Sequence, residues 1–210
     1  IASCLVGSEM CIRDSVSAGA IRIGGVDLRD MDSATLYRQV AFVFQDVRLL
    51  RSSVLDNLRL GRPEATLAEV EEAARAAQIH SRITALPQGY HTQLGSGVQL
   101  SGGEVQRLGI ARAMLSQAPI LVLDEATAAS DPESEAAIQQ ALSRLAAGRT
   151  VLVIAHRLSS IQDADQIAVL QAGQLVECGR HSALLEQQGV YAGLWAAQQF
   201  CAVETAGEQA

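Results

Sequence analysis

Two short, almost wholly apolar runs rich in β-branched residues, Ile120–Leu123 and Thr150–Ala155, form the clearest pattern in the chain. Such runs predict parallel strands covered on both faces by helices. Each ends abruptly in polar side chains, Asp124-Glu125 after the first and His156 after the second. Ligands of open parallel sheets bind beyond the carboxyl ends of the strands, so chemistry is expected there. Between the runs, Pro132–Ala147 reads as a helix. Asp131 is placed to cap it, Pro132 takes its first position, Glu133 and Glu135 suit its positive end, and Gly148 stops it.

Upstream, Ala20–Val26 and Val40–Gln45 predict strands, and apolar residues at Leu67, Val70, Ala74 and Ala77 give helical spacing. Downstream, Ile167–Leu170 and Gln174–Glu177 flank Ala172-Gly173 and predict a hairpin, followed by a helical tail containing Tyr191, Leu194 and Trp195. Residues Ile1–Ser15 follow neither period and lack the features of a signal peptide. Cys4–Ser15 resembles translated sequencing-adaptor sequence, so 1–15 is expected to be non-native. The expected organisation is an α/β domain over 16–200, with a helical subdomain at about 46–115, and a tail at 201–210.

At 210 residues with 49% hydrophobic content, the chain can bury a substantial core. Its 16 basic residues are all arginine; there is no lysine, and 23 acidic residues bring the net charge to −7. An acidic chain without a dense basic stripe argues against nucleic acid as a partner. The cysteines Cys4, Cys11, Cys178 and Cys201 show no metal-ligand spacing and read as free thiols. The longest apolar stretches fall short of the roughly 18–20 residues that cross a bilayer.

Leu100-Ser101-Gly102-Gly103-Glu104 precedes a helical pattern. Alone, it reads as an N-cap and a turn, with Ser101 capping a helix that starts near Glu104. A lone Asp124-Glu125 pair is an ordinary strand end, a lone His156 an ordinary surface histidine, and Gln45 a polar strand terminus. Together, Gln45, Leu100–Glu104, Ile120–Glu125, Asp131 and His156 resemble, in order and approximate spacing, the nucleotide-binding domain of ATP-binding cassette (ABC) transporters. The resemblance spans Val16 to Gln199. Leu86-Pro-Gln-Gly-Tyr90 through Arg112 is similar to the exporter-type branch, and Asp131–Glu135 with Arg180-His181 to half-transporters linked to iron-siderophore traffic.

The resemblance implies a P-loop NTPase-like α/β fold, a parallel sheet core with an inserted helical subdomain, incomplete at its N-terminus. It implies ATP and Mg²⁺ as ligands, with ATP hydrolysis powering a membrane transporter. Asp124 would hold Mg²⁺, Glu125 would act as general base, and His156 would order the attacking water. Gln45 would reach Mg²⁺ and relay the nucleotide state. The signature segment would contact the γ-phosphate of ATP held by a second cassette through Ser101 and Gly103, with Gly102 and Glu104 counted in the same cofactor-binding turn, since a glycine-rich helix start suits a polyphosphate. Asp131 would sit at the cassette interface. The implied partners are a second cassette and an N-terminally fused transmembrane domain at the cytoplasmic face of the inner membrane.

One departure stands out. The family's Gly-x-x-x-x-Gly-Lys-[Ser/Thr] loop, which grips phosphates through backbone N–H groups and a lysine, has no counterpart here. With every downstream motif intact, a truncated reading frame is expected, and catalysis by the fragment alone is not. An exposed sheet edge and self-association should accompany the loss. Two alternatives are a non-catalytic regulatory cassette and a DNA-maintenance ATPase of the same superfamily. The latter separates its halves by long coiled coils, whereas only 46–100 lies between Gln45 and Ser101.

Overall fold

The computed structural model describes residues 18–95, 98–124, 132–155 and 157–207. The chain divides into two compact units, residues 1–152 and 153–210.

The first unit opens with a hairpin. Strands β1 (Arg22–Ile23) and β2 (Val26–Asp27) pair antiparallel across Gly24-Gly25, whose φ values are 58° and 84°. Two successive positive φ angles are what glycine permits and a tight two-residue turn demands. The single strand expected over Ala20–Val26 is therefore folded back on itself at the glycines. Helix α1 (Ser33–Gln39) is capped by Asp32, whose carboxylate accepts from Thr35 N–H at 2.8 Å, and runs into β3 (Val40–Val43).

Three helices follow: α2 (Val54–Arg59), α3 (Leu67–Ala76) and α4 (His80–Thr84). Both α2 and α3 begin with a capping box, Ser53 with Asp56 and Thr66 with Glu69, each satisfying two otherwise orphaned N–H donors. The long helix α5 (Gly102–Ser116) then packs against α2, α3, β3 and α6 (Pro132–Ala146). Gly148, at φ 72°, lies two residues past the end of α6, where helices commonly stop.

A three-stranded sheet has the order β3–β4–β5, with β4 at Ile120–Asp124 and β5 at Thr150–Ile154. Strands β3 and β4 are parallel, in the register Val40↔Ile120 through Val43↔Leu123. Side chains alternate between faces. Ala41, Val43, Leu121 and Leu123 are buried in one core with Leu58, Leu108, Ile110 and Ile138. Each of these larger aliphatic side chains contributes roughly 1.5–3 kcal/mol by leaving water.

The opposite face is bare. Phe42 is 43% exposed, Phe44 45% and Leu152 58%, and the two phenylalanine rings stack with centroids 5.5 Å apart. Within the first unit, the described helices pack against the face that carries Ala41, Val43, Leu121 and Leu123.

The second unit has its own core. Strands β6 (Ile167–Gln171) and β7 (Gln174–Gly179) form the expected hairpin across Ala172-Gly173, with φ 49° and 78°. Helices α7 (His181–Glu186) and α8 (Val190–Gly207) follow. Leu158, Ile167, Val169, Leu184 and Tyr191 are buried together. Glu177 caps α8: its Oε2 accepts from Tyr191 N–H at 2.9 Å, and its Oε1 accepts from Val190 N–H. No helix among the described residues is long and apolar enough to cross a membrane.

Candidate functional site

The parallel register places Val43 opposite Leu123, so β3 and β4 end side by side. Asp124 closes β4 and is half-buried, while Gln45 lies two residues past the end of β3 and is exposed. A carboxylate and an amide oxygen thus share the carboxyl edge of the sheet. Both are hard oxygen donors, the type that suits Mg²⁺. Among the described residues no group of three or more His, Cys, Asp or Glu is assembled for a metal. Two protein donors still fit an ion that keeps waters and phosphate oxygens in its shell. Glu125, Asp131 and His156 lie outside the described residues.

The second set of residues sits at the start of α5. Ser101 is the N-cap, with extended backbone at φ −67° and ψ 161°. Its Oγ accepts from Glu104 N–H at 3.3 Å, and Ser101 N–H donates to Glu104 Oε2 at 2.8 Å, closing a capping box. The first backbone bond of the helix, Val105 N–H to Ser101 C=O, is 2.9 Å long. The N–H groups of Gly102 and Gly103 lie in the first turn, where no intrahelical carbonyl is available to accept from them. The cap read from the sequence at Ser101 is present, and the helix it caps starts at Gly102, two residues earlier than expected.

Gly102 is exposed, and a Cβ added there would meet nothing within 4 Å. Gly103 is buried. Glu104 is occupied within the chain: besides the cap, its Oε1 accepts from Arg82 Nε of α4 at 2.8 Å, and its side chain is 17% exposed. Among the described residues, no hydrogen bond or ion pair joins this turn to Asp124 or Gln45.

The segment after Gln45 is fastened to α5 at two points. A Cβ on Gly109 would lie 2.7 Å from Val47 Cγ2, so the glycine allows the segment to approach the helix closely. Arg112 donates to Arg48 C=O at 2.9 Å and twice to the fully buried Asn57. Burial lowers the Arg112 guanidinium below its ordinary pKa. Sequence reading missed Arg82, Arg112 and Asn57, because their partners lie far away along the chain and follow no local period.

The family profile described as ABC transporter matches residues 2–128. The chain belongs to the ABC transporter family. The mycobactin import ATP-binding/permease protein IrtA of Mycolicibacterium smegmatis is 55% identical over 191 residues, covering 91% of this chain and 22% of that protein. ATP-binding cassette sub-family B member 6 of Homo sapiens is 49% identical over 185 residues, covering 88% of this chain and 22% of that protein. Among solved structures, a bacterial Atm1-family ABC exporter with ATP bound superposes with a TM-score of 0.79 at 43% identity, covering 87% of this chain and 32% of that one. The chain thus spans between about a fifth and a third of these ABC proteins, and its fold is that of their nucleotide-binding domain.

Proposed function

We propose that this chain contributes the catalytic carboxylates and the signature turn of an exporter-type ABC ATPase, in which two cassettes close head-to-tail around ATP and Mg²⁺. The observation that carries the reading is the in-register end of β3 and β4, which brings Gln45 and Asp124 to one edge of a parallel sheet. Bound Mg²⁺ would neutralise phosphate charge. Asp124 and Gln45 would supply its protein oxygens. Glu125 accepts the proton of the attacking water, and His156 orders that water. Ser101, whose hydroxyl hydrogen is not consumed by the cap, donates with the Gly103 N–H to the γ-phosphate of ATP held by the opposite cassette. Asp131 joins the two sites at the interface.

Gly102 supports this reading from the other direction. A Cβ added at Gly102 would meet nothing within 4 Å, so no neighbour among the described residues requires a glycine there. A ligand that approaches from outside accounts for it. The phosphate-gripping lysine is absent from the 210 residues, so the chain by itself should bind ATP weakly and hydrolyse little. The membrane-spanning partner sets the cargo; similarity to mycobactin importers makes an iron-siderophore chelate the first cargo to test.

The test is to resequence the source locus upstream of the Val16 codon, express the extended frame and measure phosphate release. A glycine-rich loop with Lys-Ser/Thr and an ATPase that falls by about 10²-fold or more in Glu125→Gln supports the reading. Turnover indifferent to Glu125→Gln overturns it, and a native start without the loop favours a regulatory cassette.

A further inference from the structure

The turn proposed to receive a polyphosphate carries its own negative charge. Glu104 follows directly on Gly103, and its carboxylate is held against the helix start by the capping box. A carboxylate there favours the helix but opposes an incoming anion. Resting on the reading above, we infer that Arg82 is a positioning residue whose charge cancels that of Glu104, so that an acidic signature turn can accept the phosphates of ATP.

The geometry is specific. Arg82 belongs to α4, 22 residues earlier in the chain, and its Nε reaches Glu104 Oε1 at 2.8 Å, while Glu104 Oε2 stays on Ser101 N–H. The two carboxylate oxygens are thus divided between cap and counter-charge. The pair is only partly exposed, at 39% for Arg82 and 17% for Glu104, so water screens it incompletely. A purely structural tie between α4 and α5 would need the same contact, but it predicts a different response to neutralising Glu104. Glutamine retains the capping-box acceptor and removes the charge.

The experiment uses the extended ATPase described above and reads KM for ATP, kcat and thermal stability at two ionic strengths. Arg82→Ala is expected to raise KM about tenfold at low salt with kcat nearly kept, and the difference should narrow at high salt. Adding Glu104→Gln to Arg82→Ala should recover part of the lost affinity, lowering KM about threefold or more relative to Arg82→Ala alone. If the double variant stays as impaired as Arg82→Ala, or the defect is salt-independent and follows lost thermal stability, the contact is a structural tie and the inference fails. An active wild type whose KM ignores Arg82→Ala overturns this inference alone. An extended wild type without ATPase activity overturns the functional reading, and this inference with it.

Discussion

Arg112 and Asn57 are joined twice: Arg112 donates through Nε to Asn57 C=O and through a terminal nitrogen to Asn57 Oδ1, both at 2.7 Å. The same Asn57 Oδ1 accepts from Leu50 N–H at 2.8 Å, and Asn57 Nδ2 donates to Leu50 C=O at 3.0 Å. One buried amide therefore holds the segment downstream of Gln45, and one arginine ties both to α5. Either Asn57→Ala or Arg112→Ala strands buried partners, and each is expected to destabilise the fold by about 2–4 kcal/mol. Urea denaturation of both singles and the double checks this. The double should cost clearly less than the sum, since the two residues share their hydrogen bonds.

Gly109→Ala sets helix propensity against packing. Alanine gains about 1 kcal/mol in a helix interior. The new Cβ, at 2.7 Å from Val47 Cγ2 and 3.1 Å from Cγ1, costs about 1–3 kcal/mol by overpacking. The expected net is a loss of about 1 kcal/mol. In a Val47→Ala background the clash is gone, and Gly109→Ala should stabilise. Chemical denaturation of the four proteins reads the change of sign directly.

Tyr90 gives the stability an alkaline limit. Its hydroxyl is hydrogen-bonded to His80 Nδ1 at 2.8 Å, and burial, with the Glu71 carboxylate as a smaller cause, pushes its pKa from 10.0 to about 12. Below pH 10 both folded and unfolded chains keep the proton, and the contribution is fully present. As pH rises from about 10 to about 12 the unfolded chain releases the proton and the folded chain cannot, so stability falls. Unfolding free energy followed over that range should drop more steeply in wild type than in Tyr90→Phe. Equal slopes would mean that Tyr90 titrates like a free tyrosine.

The bare sheet face should make the protein sticky. Phe42 and Phe44 stack on each other and, like Leu152, are large apolar side chains exposed among the described residues, the kind of surface that proteins normally cover. The chain is expected to bind an apolar fluorescent dye and to self-associate with rising concentration. Phe42→Ser with Phe44→Ser should weaken both while keeping the far-ultraviolet spectrum. Sedimentation velocity and dye titration decide, and a wild type that stays monomeric without dye binding counts against the assignment.

Much of the fold was legible because it is written in local signals. The apolar run before Asp124 became β4, Pro132 opened α6, and Ala172-Gly173 made the turn of the second hairpin. Two capping boxes, Ser53 with Asp56 and Thr66 with Glu69, were equally available as Ser/Thr followed three residues on by an acid. The error at Ala20–Val26 came from reading an apolar alternation across Gly24-Gly25, where turn chemistry outranks periodicity. At the site, the sequence motif named Ser101 and Asp124 but not Arg82, which holds Glu104, or Arg112, which holds the segment after Gln45. Arg82 and Arg112 act through tertiary contacts, and a charged side chain on a helix carries no sign of which distant carboxylate or carbonyl it will meet.

The two units also differ in how far along the chain each must reach to close its core. The second gathers Leu158, Ile167, Val169, Leu184 and Tyr191 from one short stretch through a hairpin and the helices next to it, whereas β3 and β4 pair only when Val43 meets Leu123 across α2 to α5. Non-local pairing must overcome loop-closure entropy before any contact rewards it. The carboxyl-terminal unit is therefore expected to close its core before the parallel pair that aligns Gln45 with Asp124 forms.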